Sequence, residues 1–134
     1  MKITKDVLFS DLEVVPKVPG AYVIYNSKPI ARFCGIDQRG VLDIGEAGNL
    51  QDRLRKFLAC ANGRRLKGHS AGARFRTLEL DRVVSIDSLK IEIHESGSKT
   101  AAYKREGELL GNYLKEHKEL PPLNYKYNRS ADAL

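Results

Sequence analysis

Two stretches of the chain repeat their apolar residues at the spacing of an α-helix. The first begins after Asn49, a residue type that favours the N-cap position, and ends before Gly63. Its apolar face carries Leu50, Leu54, Phe57, Leu58 and Ala61. The second stretch, from about Lys99 to His117, stops before the two prolines that follow Leu120. The pattern therefore predicts two amphipathic helices.

Shorter apolar runs, rich in residues that favour extended backbone, predict β-strands around these helices. Strands are expected at residues 21–25, 30–34 and 41–45, before the first helix. Residues 89–93 alternate apolar and polar side chains, which is typical of a strand with one solvent-facing side. Residues 62–76 are rich in glycine and basic side chains and are interpreted as a surface loop. The order of elements predicts an α+β fold, a small and mainly antiparallel sheet flanked by helices.

The 134 residues suit one compact domain, with a core at about residues 19–124 and a frayed polar tail at 128–134. No apolar run reaches membrane-spanning length, and the charged N-terminus does not resemble a signal peptide. We therefore expect a cytoplasmic protein without a membrane partner. Cys34 and Cys60 form no Cys-x-x-Cys pair, so both are expected to be reduced thiols packed as small hydrophobic groups.

Positive charge is concentrated in one part of the chain. The formal net charge is +6, yet the segment from Asn49 to Arg76 holds eight basic residues and one acidic residue, a net +7. Such polarisation indicates a polyanionic partner, and nucleic acid is the leading candidate. The residues expected to contact it are Arg55, Lys56, Arg64, Arg65, Lys67, His69, Arg74 and Arg76. For His69, an exposed loop position without a substrate contact is the alternative.

Each predicted helix places one charged residue on its apolar face. Arg53 lies three residues after Leu50 and four before Phe57. Glu106 shares a face with Ala102, Tyr103, Leu109, Leu110 and Tyr113. The structural alternatives are an arginine that extends to solvent from the edge of the stripe, and a buried ion pair between the two charges. Because pairing only roughly offsets desolvation, a functional site is the more economical interpretation, with Arg53 directed at a phosphate.

Five short motifs follow one another along most of the chain. They are PGAYVIY at residues 19–25, DIG at 43–45, GEAGNLQDRL at 45–54, EGELL at 106–110 and PPLN at 121–124. In this order they resemble the motifs of GIY-YIG nucleases, whose pattern reads PGIYxI, YIG, GxxxNLxxRL, ExxL(I/L) and PxxN. Each motif is weak alone, but the ordered set is fairly specific. The resemblance selects Arg53 and Glu106, the two residues already singled out by their positions on apolar faces.

The resemblance implies a metal-dependent endonuclease that hydrolyses phosphodiester bonds of DNA, with RNA not excluded. Glu106 would bind one divalent ion, Mg²⁺ or Mn²⁺, and Arg53 would stabilise negative charge on the phosphoryl oxygens. Tyr22 would orient or deprotonate the attacking water. Asn124 would position the glutamate or the substrate backbone.

Two residues depart from the family pattern. Asp43 stands where the family has the tyrosine of YIG. Phe57, which cannot exchange protons, stands four residues after the arginine, where many members have histidine or an aromatic residue. Alternation along the strand predicts that Asp43 faces the same cleft as Tyr22, with Leu42 and Ile44 on the opposite side. Asp43 is either a working carboxylate or the mark of a degenerate site. The alternatives are thus a weakened family member that only binds nucleic acid, and a basic RNA-associated structural protein.

Overall fold

The computed structural model describes residues 4–125 and residue 127, so the tail predicted at 128–134 lies outside the described residues. The strands are β1 (Thr4–Leu8), β2 (Gly20–Tyr25), β3 (Ile30–Ala31), β4 (Ile36–Asp37), β5 (Val41–Ala47) and β6 (Lys90–Glu95). The helices are α1 (Leu50–Ala61), α2 (Ser70–Thr77) and α3 (Lys99–His117). Four strands form an antiparallel sheet in the order β1-β6-β2-β5, and β3 and β4 pair separately. The predicted α+β class is confirmed.

Helices cover both faces of the sheet. On one face, Tyr22, Ile24 and Leu42 belong to a buried cluster that includes the apolar residues of α1 and α2. On the other face, Val23 and Ile44 pack in a second cluster with apolar residues of α3. This two-sided burial explains why β2 is apolar at every position rather than alternating.

The two helices predicted from the sequence are present as α1 and α3. Both helices have the predicted bounds within a residue, and the side chain of Asn49 caps α1 by accepting a hydrogen bond from the backbone N–H of Asp52 at 3.0 Å. Gln51 is also buried on α1, and its amide donates hydrogen bonds to carbonyls of the turn at Phe9–Val14 and to Val15. These contacts fix α1, and therefore Arg53, relative to the preceding segment.

The interpretation of residues 62–76 as a loop is wrong for their second half, which forms most of α2. Ala71 and Phe75 anchor this helix in the core. Gly72 faces α1 so closely that an added Cβ would lie 2.6 Å from the carbonyl oxygen of Phe57. The glycine that weakens the helical pattern in the sequence is therefore what allows the two helices to pack against each other.

Three further details differ from the predicted elements. The strand expected at 30–34 is only β3, outside the main sheet, while β1 was not predicted. A register shift between Ile24 and Tyr25 leaves Leu42 without a partner in the pairing of β2 and β5. This bulge turns Leu42 toward the α1 side and places Val41 with Ile44, so the predicted sharing of one face by Leu42 and Ile44 is wrong.

Both cysteines are free thiols, but only one is packed. Cys60 is buried in α1 as expected, whereas Cys34 is exposed, so the prediction of a packed thiol is wrong at that position. Cys34 lies in the short connection between β3 and β4, outside the main sheet. Among the residues that the structure describes, no helix has the length and apolar character needed to cross a membrane.

Candidate active site

A pocket of about 260 Å³ lies beside β5, the edge strand of the sheet. It is bordered by β2, by the N-terminal parts of α1 and α2, by α3 and by the segment that follows α3. The predicted catalytic residues all line it: Tyr22, Asp43, Arg53, Glu106 and Asn124. Two residues predicted to bind nucleic acid, His69 and Arg74, line it as well. The volume suits one phosphodiester group rather than a whole duplex, which would extend over the surrounding surface.

Strand register brings Tyr22 and Asp43 together. Tyr22 pairs with Gly45, and the next residue on the same face of β2, Ile24, pairs with Asp43. Tyr22 and Asp43 are therefore diagonal neighbours on one face of the sheet, as predicted. A Cβ added at Gly45 would overlap the Tyr22 hydroxyl, so the glycine of the DIG motif provides the space in which the phenol lies.

Asp43 is a buried carboxyl group at the wall of the pocket. It is only 3% exposed, and among the described residues its Oδ2 atom has no hydrogen-bond partner. Burial raises the pKa of Asp43 to about 7, with Arg74 and Arg53 opposing the increase and Glu106 adding to it. Near neutral pH this carboxyl group can therefore exchange a proton, and one of its oxygens is available to a bound molecule.

Arg53 reaches the pocket from the apolar face of α1. Its side chain is half-buried, and Nη1 donates a hydrogen bond to the carbonyl oxygen of Gly68 at 2.8 Å. That contact ties the guanidinium to the residue just before the N-cap of α2. An arginine held in this way presents its remaining N–H groups in a fixed direction, which suits recognition of an oxyanion.

Glu106 and Asn124 lie on the α3 side of the pocket. Glu106 is half-buried on α3. The side-chain amide of Asn124 forms two hydrogen bonds with the backbone of Ile44, accepting from its N–H and donating to its carbonyl, each at 2.9 Å. Asn124 thus holds the strand that carries Asp43. This arrangement fits a positioning role better than direct contact with substrate.

His69 is the N-cap residue of α2 and is 3% exposed, so the alternative of an exposed loop histidine is wrong. Its Nε2 atom lies 2.8 Å from the hydroxyl oxygen of Tyr22. Burial, reinforced by Arg53 and Arg74, lowers the pKa of His69 to about 3, so the ring is neutral. Its ring also meets that of Phe57 edge to face, with centroids 5.2 Å apart. Nothing in the sequence pattern indicated the contact between His69 and Tyr22, because the two residues are 47 positions apart.

The residues predicted to contact nucleic acid border different depressions of the surface. Arg74 lines the pocket, where its guanidinium lies 4.6 Å from the ring centre of Tyr125. Arg55 and Arg64 border a separate depression beside the turn at Phe9–Val14. Arg65 and Arg76 border another depression, and Lys56 forms an ion pair with Asp52 at 3.1 Å. Lys67 is exposed on the segment between α1 and α2.

Two tyrosines at the pocket were not predicted as site residues. Tyr103 was assigned to the apolar face of α3, but it is 45% exposed, so that assignment is wrong. It lies one helical turn before Glu106, and that spacing could have linked it to the site. Tyr125 follows Asn124 directly and is 63% exposed.

The described residues contain no group of three histidine, cysteine, aspartate or glutamate side chains that could by itself hold a metal ion. Three acidic side chains line the pocket, Asp43, Glu46 and Glu106, and Glu46 forms an ion pair with Lys99. Mg²⁺ is commonly bound by one or two carboxylates, with water and substrate phosphate oxygens completing its shell. The donor chemistry, including the unpartnered Oδ2 of Asp43, therefore fits a hard divalent cation that binds together with a phosphate.

Comparison of the sequence with protein-family models gave no match, and comparison with curated proteins gave no significant match. The functional assignment therefore depends on the residues and geometry of the pocket.

Proposed function

We propose that this protein is a metal-dependent endonuclease that hydrolyses phosphodiester bonds of DNA at the pocket beside β5, in the manner of GIY-YIG nucleases. One observation carries the proposal. Tyr22, Asp43, Arg53 and Glu106 come from four separate elements, β2, β5, α1 and α3, and line one small pocket. Two of these residues, Arg53 and Glu106, are half-buried charged side chains that lie among the apolar residues of their helices.

The two arginines supply the phosphate-binding charge. Arg53 and Arg74 approach the pocket from α1 and α2, and both act electrostatically on Asp43 and His69 inside it. Their N–H groups are suited to the equatorial oxygens of a phosphoryl group, where negative charge increases during the reaction. Because the site is partly enclosed, this stabilisation is stronger than the same contacts would give in water.

Glu106 would hold the divalent ion, and Asp43 lines the same pocket. When bound, the ion would supply Lewis-acid stabilisation of a phosphoryl oxygen and of the leaving oxygen. Asp43 accepts a proton from the attacking water as the water oxygen forms its bond to phosphorus. The bond from phosphorus to the leaving sugar oxygen breaks, and that oxygen takes a proton from solvent. The pKa of Asp43, which burial raises to about 7, supports this role.

Outside the pocket, exposed basic residues would contact phosphates that flank the cleaved bond. Arg64, Arg65 and Lys67 lie on the exposed segment between α1 and α2, immediately before the residues that enter the pocket. Contacts of this kind give affinity that depends strongly on salt and little on base sequence.

The test is cleavage of supercoiled plasmid DNA with Mg²⁺ or Mn²⁺, with an RNA of similar length assayed in parallel. We expect nicking by the native protein, none in EDTA, and loss of nicking in Glu106→Gln with DNA binding retained. Glu108→Gln is a matched control, because Glu108 is an exposed glutamate on the same helix and does not line the pocket. Equal activity of Glu106→Gln and Glu108→Gln would remove Glu106 from the mechanism.

The runner-up is a family member that binds nucleic acid without cleaving it. Tyr22 is the observation in its favour: the resemblance makes this residue the one that orients or deprotonates water, but burial, with a contribution from Asp43, raises the pKa of its phenol well above 10. Such a phenol does not act as a base at neutral pH. DNA binding without metal-dependent nicking, together with a large gain of nicking in Asp43→Tyr, would establish this second function in place of the first.

A further inference from the structure

His69 makes two contacts that together determine where its proton lies. Its Nδ1 atom is 3.3 Å from the backbone nitrogen of Gly72 and accepts that N–H as the cap of α2. Its Nε2 atom is 2.8 Å from the hydroxyl oxygen of Tyr22. An imidazole nitrogen that accepts a hydrogen bond carries no proton. The proton of the neutral ring is therefore on Nε2, which donates to the Tyr22 oxygen.

The surroundings keep this state in place. A second proton on Nδ1 would face the Gly72 N–H and would lie in the field of Arg53 and Arg74. Burial together with that field lowers the pKa of His69 to about 3, so the ring stays neutral over the working range of most enzymes.

The contact also constrains the phenol of Tyr22. Its oxygen accepts the proton of Nε2, so its own O–H proton must be directed away from His69. The ring is fully buried, and Gly45 leaves no side chain above the hydroxyl. Tyr22 lines the pocket that also contains Asp43 and Arg53. A neutral phenol in this position is a hydrogen-bond donor toward whatever occupies the pocket.

We propose that His69 is a positioning residue that holds Tyr22 as a hydrogen-bond donor to an oxygen of a phosphate bound in the pocket. The inference depends on the proposed function only for the identity of the ligand as a phosphate. It changes the role expected for Tyr22, which here stabilises the phosphoryl group and does not remove a proton from water. The raised pKa of the Tyr22 phenol agrees with this role.

One substitution distinguishes the role of His69 as the N-cap of α2 from its role in positioning Tyr22. Asparagine is among the best N-cap residues, so His69→Asn keeps the hydrogen bond to Gly72. Its side chain is shorter than that of histidine and does not reach Tyr22. We expect a thermal midpoint close to that of the native protein. We also expect roughly tenfold weaker binding of inorganic phosphate, the effect of losing one hydrogen bond to a charged group.

The measurement is phosphate titration followed by NMR, without a divalent ion, for native protein, His69→Asn, Tyr22→Phe and the double variant. Because His69 acts through Tyr22, the two single losses should be similar and the double variant no weaker than either. Additive losses, or native affinity in His69→Asn beside a weakened Tyr22→Phe, would overturn the inference. If His69→Asn does not fold, native affinity in Tyr22→Phe alone also overturns it.

Nitrogen-15 NMR of the native protein tests the tautomer independently of any activity. We expect His69 to show a protonated Nε2 and an unprotonated Nδ1, without titration between pH 5 and pH 9. A protonated Nδ1, or a ring that titrates in this range, contradicts the assignment. Absence of plasmid nicking beside the expected phosphate and tautomer results would count against the nuclease alone, while the inference about His69 would stand.

Discussion

Asp43→Asn should stabilise the folded protein, and the gain should grow as the pH rises. The folded protein holds the Asp43 proton up to a pKa of about 7, compared with an ordinary value of 3.8. Between these values the unfolded chain ionises this carboxyl group while the folded chain does not. The native protein therefore loses stability as the pH rises from about 4 to 7. Asparagine has nearly the same shape and does not ionise, so it avoids this loss.

The size of the effect follows from the pKa difference. A difference of about three units corresponds to about 4 kcal/mol once the pH exceeds both values. Of this, about 2.5 kcal/mol should develop between pH 5 and pH 8. The burial of Asp43 at 3% exposure means that solvent screens the effect little.

The assay is urea denaturation of both proteins in EDTA at several pH values, with the difference in free energy of unfolding plotted against pH. Asp87→Asn is a matched control, since Asp87 is an exposed carboxyl group that does not line the pocket, and its difference from the native protein should not follow this pH profile. A flat profile for Asp43→Asn, or a stability advantage that shrinks as pH rises, would refute the electrostatic description of Asp43. In the nicking assay, the same variant should cleave slowly while binding DNA normally.

Three further variants test other parts of the molecule. Arg53→Met should change the free energy of unfolding by no more than about 1 kcal/mol because the side chain is half-exposed, and should reduce nicking at least ~100-fold; unfolding with normal residual activity would favour a structural role. Combined substitution of Arg64, Arg65 and Lys67 by glutamine should flatten the salt dependence of DNA binding, and an unchanged slope would mean that these residues face away from DNA. Asp37→Ala should lower the free energy of unfolding by about 3 kcal/mol in urea, since it removes the acceptor of the Tyr113 hydroxyl and of three backbone N–H groups; a change below ~1 kcal/mol would show that water replaces these bonds.

Long periodic patterns were the most informative part of the sequence. The bounds of α1 and α3 could be predicted because each helix repeats its apolar residues over several turns and has a clear N-cap or terminating residue. The shorter α2 could not, because only Ala71 and Phe75 anchor it and Gly72 lowers its helix propensity. Gly72 is needed for close contact with α1, and the local sequence pattern does not show this contact.

In the pocket, too, local sequence patterns predicted some residues but not those that depend on long-range contacts. Arg53 and Glu106 could be identified because a charge on an apolar helix face conflicts with the pattern around it. The partner of Tyr22 could not, since His69 is distant in the chain and lies in a segment without periodicity. The bulge at Leu42 was also hidden, because it depends on how β5 pairs with β2 rather than on the residues of β5 alone.

The segment after α3 has a protective consequence for the whole protein. An edge strand exposes N–H and C=O groups that can pair with a strand of another molecule and start aggregation. In β5 this edge is covered, because the N–H of Leu123 bonds to the carbonyl of Leu42 at 2.8 Å and Asn124 pairs with both backbone groups of Ile44. The same short segment therefore shields the strand that carries Asp43 from intermolecular pairing. Solubility and an intact pocket are coupled through it, so selection against aggregation would also preserve the site.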